Sequence, residues 1–129
     1  MIGYTMIGTN NPAAATAFYT KLLAMVGGAP LPAYSSDTRT FFSSGAGQPM
    51  IAVGKPYDGS VATVGNGTMT ALAAPSRAVV DAMYAAAIAA GGKDEGAPGV
   101  RGPNPNGFYG AYFRDLDGNK ICAFKVGPA

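Results

Sequence analysis

Residues 76–92 read SRAVVDAMYAAAIAAGG, and this stretch has the features of one helix with both of its ends defined. Ser76 is a good N-cap residue, and Gly91 and Gly92 suit the left-handed backbone that closes many helices. Apolar residues recur between them at helical spacing, at Val79, Val80, Met83, Ala87 and Ala90. The stretch therefore predicts a helix from Ser76 to about Ala90.

A similar stretch, NPAAATAFYTKLLAMVGG, occupies residues 11–28. Asn11 is a good N-cap, and Pro12 suits the first helical position because its missing N–H would be unpaired there in any case. Ser76 lies 65 positions after Asn11, and Tyr84 lies 65 positions after Tyr19. We therefore predict a second helix, ending near Val26, and an internal repeat.

The segments around the two helices repeat in the same order. A β-prone segment precedes each helix, at residues 3–9 and 68–74. Strand-like pieces follow the first helix at 32–35, 38–43 and 49–53, and the second near 93–95, 108–114 and 119–126. Residues 115–119, DLDGN, read as a hairpin turn. The order is β-α-β-β-β twice, with modules at 1–55 and 66–129, a linker at 56–65, and one compact domain overall.

Composition excludes several classes of site. The 129 residues include no His and one Cys, so the chain has no His-ligated metal site, no Ser-His-Asp triad, no internal disulfide and no four-cysteine site. The net charge of +2 is small and spread out, which argues against a nucleic-acid partner. The sequence contains no pattern typical of a signal peptide or a membrane span, so we expect a cytoplasmic protein without a membrane partner.

Several motifs together resemble one protein family. They are residues 65–68 (GNGT), 73–77 (AAPSR), 91–96 (GGKDEG), 109–112 (YGAY) and 114–121 (RDLDGNKI). The chain resembles the glyoxalase / bleomycin-resistance / extradiol-dioxygenase superfamily, also called vicinal oxygen chelate proteins. The resemblance implies an α+β fold, in which two βαβββ modules form a cupped mixed β-sheet with the helices outside, often in a homodimer.

The resemblance also indicates where metal-using members place their ligands. The first-strand His position falls at Tyr4, its counterpart in the second module at Met69, and the last-strand Glu position at Cys122. The matching place in the first module lies near residues 50–52, MIA, which contain no carboxylate. A divalent ion needs several converging nitrogen or oxygen ligands. We therefore expect no metal and no cofactor.

Six residues are candidates for binding a ligand in the cup: Tyr4, Met69, Arg101, Tyr109, Tyr112 and Cys122. Tyr4 and Cys122 are also weak catalytic candidates. Each residue has a plainer interpretation as well. Cys122 could be a small buried apolar residue, Tyr4 a packed ring, Met69 core lining and Arg101 a solvated charge. Strand alternation places Tyr109 and Tyr112 on opposite faces of one strand, without indicating which face lines the pocket.

These observations favour a metal-free protein that binds a small neutral or anionic, apolar or aromatic ligand in the cup between the modules. We also expect it to be a homodimer. Two alternatives stay open at this point. One is a metal-independent lyase- or isomerase-type enzyme of the same superfamily that acts on a carbonyl compound. The other is a non-catalytic dimeric scaffold.

Overall fold

A computed structural model describes all residues from 1 to 129. The first module consists of β1 (Tyr4–Gly8), α1 (Pro12–Ala24), β2 (Ala29–Pro30), β3 (Arg39–Ser43) and β4 (Met50–Gly54). The second consists of β5 (Met69–Ala73), α2 (Arg77–Ala89), β6 (Lys93–Arg101), β7 (Phe108–Arg114) and β8 (Lys120–Val126). Neither helix has the length and hydropathy that a membrane span requires.

The two modules have the same sheet topology. The strand order is β1-β4-β3-β2 in the first sheet and β5-β8-β7-β6 in the second. The first strand of each module runs parallel to the last, and the other pairs are antiparallel. The predicted α+β fold of paired βαβββ modules is therefore confirmed, and the two sheets do not close into one.

The helix caps form as the sequence predicts. The Asn11 side chain accepts a hydrogen bond from the Ala14 N–H at 3.1 Å, and the Ser76 hydroxyl accepts one from the Val79 N–H at 3.2 Å. Each helix ends one or two residues before the predicted position. The C-terminal end of α1 is closed by a hydrogen bond from the Gly28 N–H to the Leu23 carbonyl at 2.8 Å.

One strand prediction was wrong, and a second strand is longer than predicted. Residues 32–35, predicted as a strand, form a 3₁₀ turn over Pro32–Tyr34, and β2 is the preceding pair Ala29–Pro30. The Ser35 hydroxyl donates to the Leu31 carbonyl at 2.8 Å, which secures the turn. Residues 93–95 were predicted as a short strand, but β6 continues to Arg101. Two register shifts between Asp94 and Gly99 allow this glycine- and proline-containing segment to stay paired.

The modules meet through their helices. One contiguous core contains Phe18 and Leu22 of α1, Val80 and Met83 of α2, and strand residues such as Phe113. Along each strand, alternate side chains point into this core. The other face of each sheet carries no helix, and we call it the open face. In the first module it carries Tyr4, Met6, Phe41, Met50 and Ala52, and in the second Met69, Ala71, Phe108, Tyr112, Lys120, Cys122 and Phe124.

Candidate functional site

A cavity of about 610 Å³ lies between the modules. Its walls include the end of α1, at Leu23 and Val26, and all five residues of β5. Met69 is the one residue among the six candidates that lines it. The cavity therefore borders the open face of β5 without containing the other candidates.

Three of the six candidates lie together on the open face of the second module. The Arg101 guanidinium carbon lies 5.5 Å from the centroid of the Tyr112 ring, and the Lys120 Nζ lies 5.6 Å from the same centroid. Cys122 is the direct partner of Tyr112 across the β7–β8 pair. We call these four residues, Arg101, Tyr112, Lys120 and Cys122, the cation–tyrosine cluster.

The backbone of β6 holds Arg101 in this cluster. Its Nη1 donates to the Gly99 carbonyl at 3.0 Å, and its Nη2 donates to the Ala97 carbonyl at 2.8 Å. A Cβ atom at Gly99 would lie 3.1 Å from Nη1, and one at Gly96 would lie 3.2 Å from Nη2. The glycines of β6 therefore leave space for the guanidinium. Arg101 is held by hydrogen bonds and is not the solvated surface charge that was the alternative interpretation of its sequence.

Cys122 is the fully buried member of the cluster. Burial raises the pKa of the Cys122 thiol, while the Tyr112 hydroxyl and the charges of Arg101 and Lys120 act to lower it. Since burial dominates, the thiol stays protonated at neutral pH. This favours the interpretation of Cys122 as a small buried residue over that of a thiolate nucleophile.

Tyr4 lies on the open face of the first module, away from the cluster. Its ring contacts Phe41 edge-on, with centroids 5.4 Å apart, and Tyr34 lies 6.4 Å from Phe41. The side chain is 58% exposed. Tyr4 is therefore part of an aromatic surface on β1 and β3 and has a solvent-accessible hydroxyl.

Tyr109 lies on the helix-bearing face of β7, so the structure separates it from the other candidates. Its hydroxyl donates to Asp81 of α2 at 2.6 Å, and the Arg77 guanidinium lies 4.9 Å from its ring centroid. The hydrogen bond to Asp81 is the main cause of its raised pKa. The open face of β7 instead carries Tyr112 and Phe108. Strand alternation alone could not tell which of the two faces of β7 carries the helices.

The residues at the family's metal-ligand positions do not fit a divalent ion. Tyr4 and Met69 are a phenol and a thioether, Cys122 is a buried thiol with a raised pKa, and Ala52 stands opposite Met6 where the first module would need a carboxylate. The chain contains no group of three or more His, Cys, Asp or Glu side chains arranged to hold a metal.

Two features of the open face were not among the six candidate residues. Lys120 is a full member of the cation–tyrosine cluster, and Phe108 stacks on Phe124 with centroids 5.3 Å apart and planes 8° from parallel. Alternation along β8 predicts Lys120 and Phe124 on the same face as Cys122, although neither was among the candidates for binding a ligand.

Fold and site together define a two-module βαβββ protein with basic and aromatic side chains on one open face. The chain belongs to the superfamily described as Glyoxalase/Bleomycin resistance protein/Dioxygenase superfamily, whose family model matches residues 1–123. A comparison with curated proteins found no match.

Solved structures agree with this assignment. A glyoxalase/bleomycin resistance protein from Albidiferax ferrireducens T118 is 36% identical, with a TM-score of 0.85 over 97% of this chain and 98% of that one. A glyoxalase/bleomycin resistance protein/dioxygenase family enzyme from Burkholderia phytofirmans PsJN is 20% identical, with a TM-score of 0.73 over 96% and 97%. Lactoylglutathione lyase from Agrobacterium tumefaciens is 23% identical, with a TM-score of 0.67 over 97% and 92%. The last two similarities concern the fold alone.

Proposed function

We propose that this protein binds a small organic molecule on the open face of its second module, without a divalent metal and as a homodimer. The ligand has an apolar or aromatic body. The observation that carries the proposal is the cation–tyrosine cluster, in which Arg101 and Lys120 both approach the ring of Tyr112. Such a group of positioned polar side chains beside apolar surface is typical of small-molecule sites.

Metal independence is part of the same proposal. It is supported by the donor set, because phenol, thioether and methyl groups stand where metal-using members of the family place imidazole and carboxylate ligands. We expect elemental analysis of the purified protein to find no stoichiometric divalent metal, and ligand binding to survive treatment with a chelator. One tightly held ion per chain would contradict the proposal.

The homodimer is proposed from the sheet edges. β1 pairs only with β4, and β5 pairs only with β8, so each of these strands has a free edge. Tyr4, Met6 and Met69 on the same two strands are more than one third exposed. Free strand edges bordered by apolar side chains are suited to association with another chain. A cytoplasmic location also stays a prediction.

The binding role is preferred over the enzyme alternative because of Cys122. A nucleophilic thiol needs a lowered pKa, whereas burial raises the pKa of this one. Tyr4, the other catalytic candidate, lies on the separate aromatic surface of the first module. The scaffold alternative is tested by whether any ligand binds.

Ala71→Trp is the test variant for the binding proposal. Ala71 is exposed on the open face of β5 and pairs with Cys122 of β8, so an indole there would cover the cluster. A panel of small aromatic and apolar compounds is screened by thermal unfolding. A ligand at 100 times its dissociation constant should add about 2.7 kcal/mol to the stability of the wild-type protein. This gain should be lost in Ala71→Trp.

Ala85→Trp is the matched control, because Ala85 is also exposed but lies on α2, away from the open face. It should keep the full ligand-induced stabilisation. The proposal is wrong if no compound stabilises the wild-type protein, or if Ala71→Trp is stabilised as much as Ala85→Trp.

A further inference from the structure

We infer that the ligand of the second module carries an anionic group, a carboxylate or a phosphate, which binds between Arg101 and Lys120 beside Tyr112, and that its body is a planar apolar or aromatic group lying toward Phe124. This inference rests on the proposed function and specifies the class of ligand.

The first argument is the uncompensated positive charge of the cluster. The structure contains one salt bridge, between Arg114 and Glu95 at 2.9 Å, and neither Arg101 nor Lys120 takes part in it. The Arg101 guanidinium donates only to backbone carbonyls, and the Lys120 ammonium, 5.6 Å from the Tyr112 ring centroid, donates no hydrogen bond within the chain. Two half-buried cations on one ring therefore have no carboxylate partner.

The acidic residues of the second module are engaged elsewhere. Asp81 accepts from Tyr109, Asp94 from Tyr84, Glu95 from Arg114, Asp115 from Tyr19, and Asp117 from the Asn10 backbone. None of these carboxylates is within salt-bridge distance of the cluster. Half-buried charges are costly without a partner, so an anion supplied from outside the chain would stabilise this arrangement.

The second argument is that the site is already formed. Hydrogen bonds from Arg101 to the Gly99 and Ala97 carbonyls fix the guanidinium, so little side-chain freedom is lost when an anion binds. The ammonium of Lys120 keeps all its donors free. Charge-assisted hydrogen bonds of this kind are the strong ones.

The third argument concerns the body of the ligand. Phe124 follows Cys122 by two residues on the same face of β8, a separation of about 7 Å along a strand. Gly110, the cross-strand partner of Phe124, has no side chain, and a Cβ atom there would clash with the Phe108 ring. The stacked pair of Phe108 and Phe124 therefore presents apolar surface on the same open face, two residues along β8 from Cys122.

The test uses acids paired with neutral isosteres. 2-Naphthoate and 2-naphthamide have the same shape and differ in charge, and 2-naphthyl phosphate is a third probe that distinguishes a phosphate site from a carboxylate site. Binding to the full chain is measured by calorimetry. We expect at least one of the two acids to bind about tenfold or more tightly than the amide, because a charged partner adds about that much affinity. The ratio of acid affinity to amide affinity should decrease as salt is added.

Lys120→Met and Arg101→Met should each reduce this ratio about tenfold while leaving the affinity for the amide nearly unchanged. Lys125→Met is the matched control. Lys125 lies on the same strand, but its Nζ donates to the neighbouring Val126 carbonyl and its position alternates away from the cluster. This variant should bind the acid as the wild-type protein does. Thermal unfolding without ligand establishes that each variant is folded.

The outcomes separate the two proposals. If the amide binds as tightly as both acids, or if Lys125→Met weakens acid binding as much as Lys120→Met does, the anion inference is wrong while the binding function stands. If none of the three naphthyl probes and no member of the screening panel binds the wild-type protein, both proposals fail. Since the acid–amide comparison needs no variant, the inference is tested even if a substitution prevents folding.

Discussion

At Cys122, burial and nearby positive charge act on one thiol in opposite directions. The side chain is 1% exposed, and burial outweighs Tyr112, Arg101 and Lys120 in setting its pKa above the ordinary value. A residue in this position contributes packing and a weak polar contact rather than nucleophilicity. The same two cations are therefore better suited to an external anion than to activating the thiol.

We predict that Cys122 reacts slowly with alkylating reagents. With a buried, protonated thiol, iodoacetamide labelling of the folded protein near pH 8 should be at least about tenfold slower than labelling of the unfolded chain. Mass spectrometry follows the modified fraction with time. The unfolded protein in guanidinium is the control, since it exposes the same single thiol. Equal rates in the two states would contradict the assignment.

The free edges of β1 and β5 are the feature that matters at the scale of elements. Each strand has five residues, lies at the end of its sheet, and exposes apolar side chains on the open face. Natural proteins usually cover or charge such edges. Neither β1 nor β5 carries a Lys or Pro for that purpose.

Met6→Lys should therefore weaken the proposed homodimer. Met6 is 42% exposed on β1, and a lysine there would place an unpaired charge in the interface. Light scattering should give twice the chain mass of 12.9 kDa for the wild-type protein and a shift toward 12.9 kDa for the variant. Leu116→Lys is the control, because Leu116 is 43% exposed in the β7–β8 turn. A monomeric wild-type protein, or equal effects of both variants, would contradict the dimer.

The helices and strands β7 and β8 were predictable because their signals are local. Asn11 and Ser76 cap their helices, and alternation along β8 orders Lys120, Cys122 and Phe124 on one face. β2 and the second half of β6 were not predictable. Their pairing depends on β3 and β7 accepting segments rich in glycine and proline, a tertiary effect that local propensity does not contain. The face of β7 on which Tyr109 lies could not be predicted from the sequence either, because this strand has aromatic residues on both faces.

At the scale of the whole molecule, the turn between β7 and β8 connects the two modules. Tyr19 of α1 donates to the buried Asp115 carboxylate at 2.5 Å, and Asn119 donates to that carboxylate at 2.9 Å and to the Gly8 carbonyl at 2.8 Å. Asp117 accepts from the Asn10 N–H at 2.9 Å. The motif that the sequence predicts as a hairpin turn is thus also the main polar contact between the modules.

Tyr19→Phe tests this contact through its dependence on pH. Burial and the adjacent Asp115 raise the pKa of Tyr19 well above 10.0, so the hydroxyl stabilises the folded state below about pH 10 and this stabilisation is lost as the pH rises further. At neutral pH the variant should lose about 1–3 kcal/mol of unfolding free energy, because a hydrogen bond to a buried carboxylate is removed. Above pH 10 the difference in unfolding free energy between the variant and the wild-type protein should become smaller.

Denaturant unfolding of both proteins at several pH values measures that difference. Tyr84→Phe is the control, since Tyr84 also donates to an aspartate, Asp94, but within the second module and nearer the surface. Its substitution should cost less at neutral pH. A difference between wild-type protein and Tyr19→Phe that stays constant through the alkaline range would show that the hydroxyl does not stabilise the fold in this way.

The bonds that Asp115 and Asn119 make to α1 and β1 also bear on how a duplicated chain can evolve. The two halves share one topology, yet each has acquired polar atoms that are satisfied by the other half. A single half that folded alone, or paired with a copy of itself, would leave those polar atoms without their present partners unless they were replaced. The symmetry of the two halves is kept in the strand order, while these hydrogen bonds make each half depend on the other.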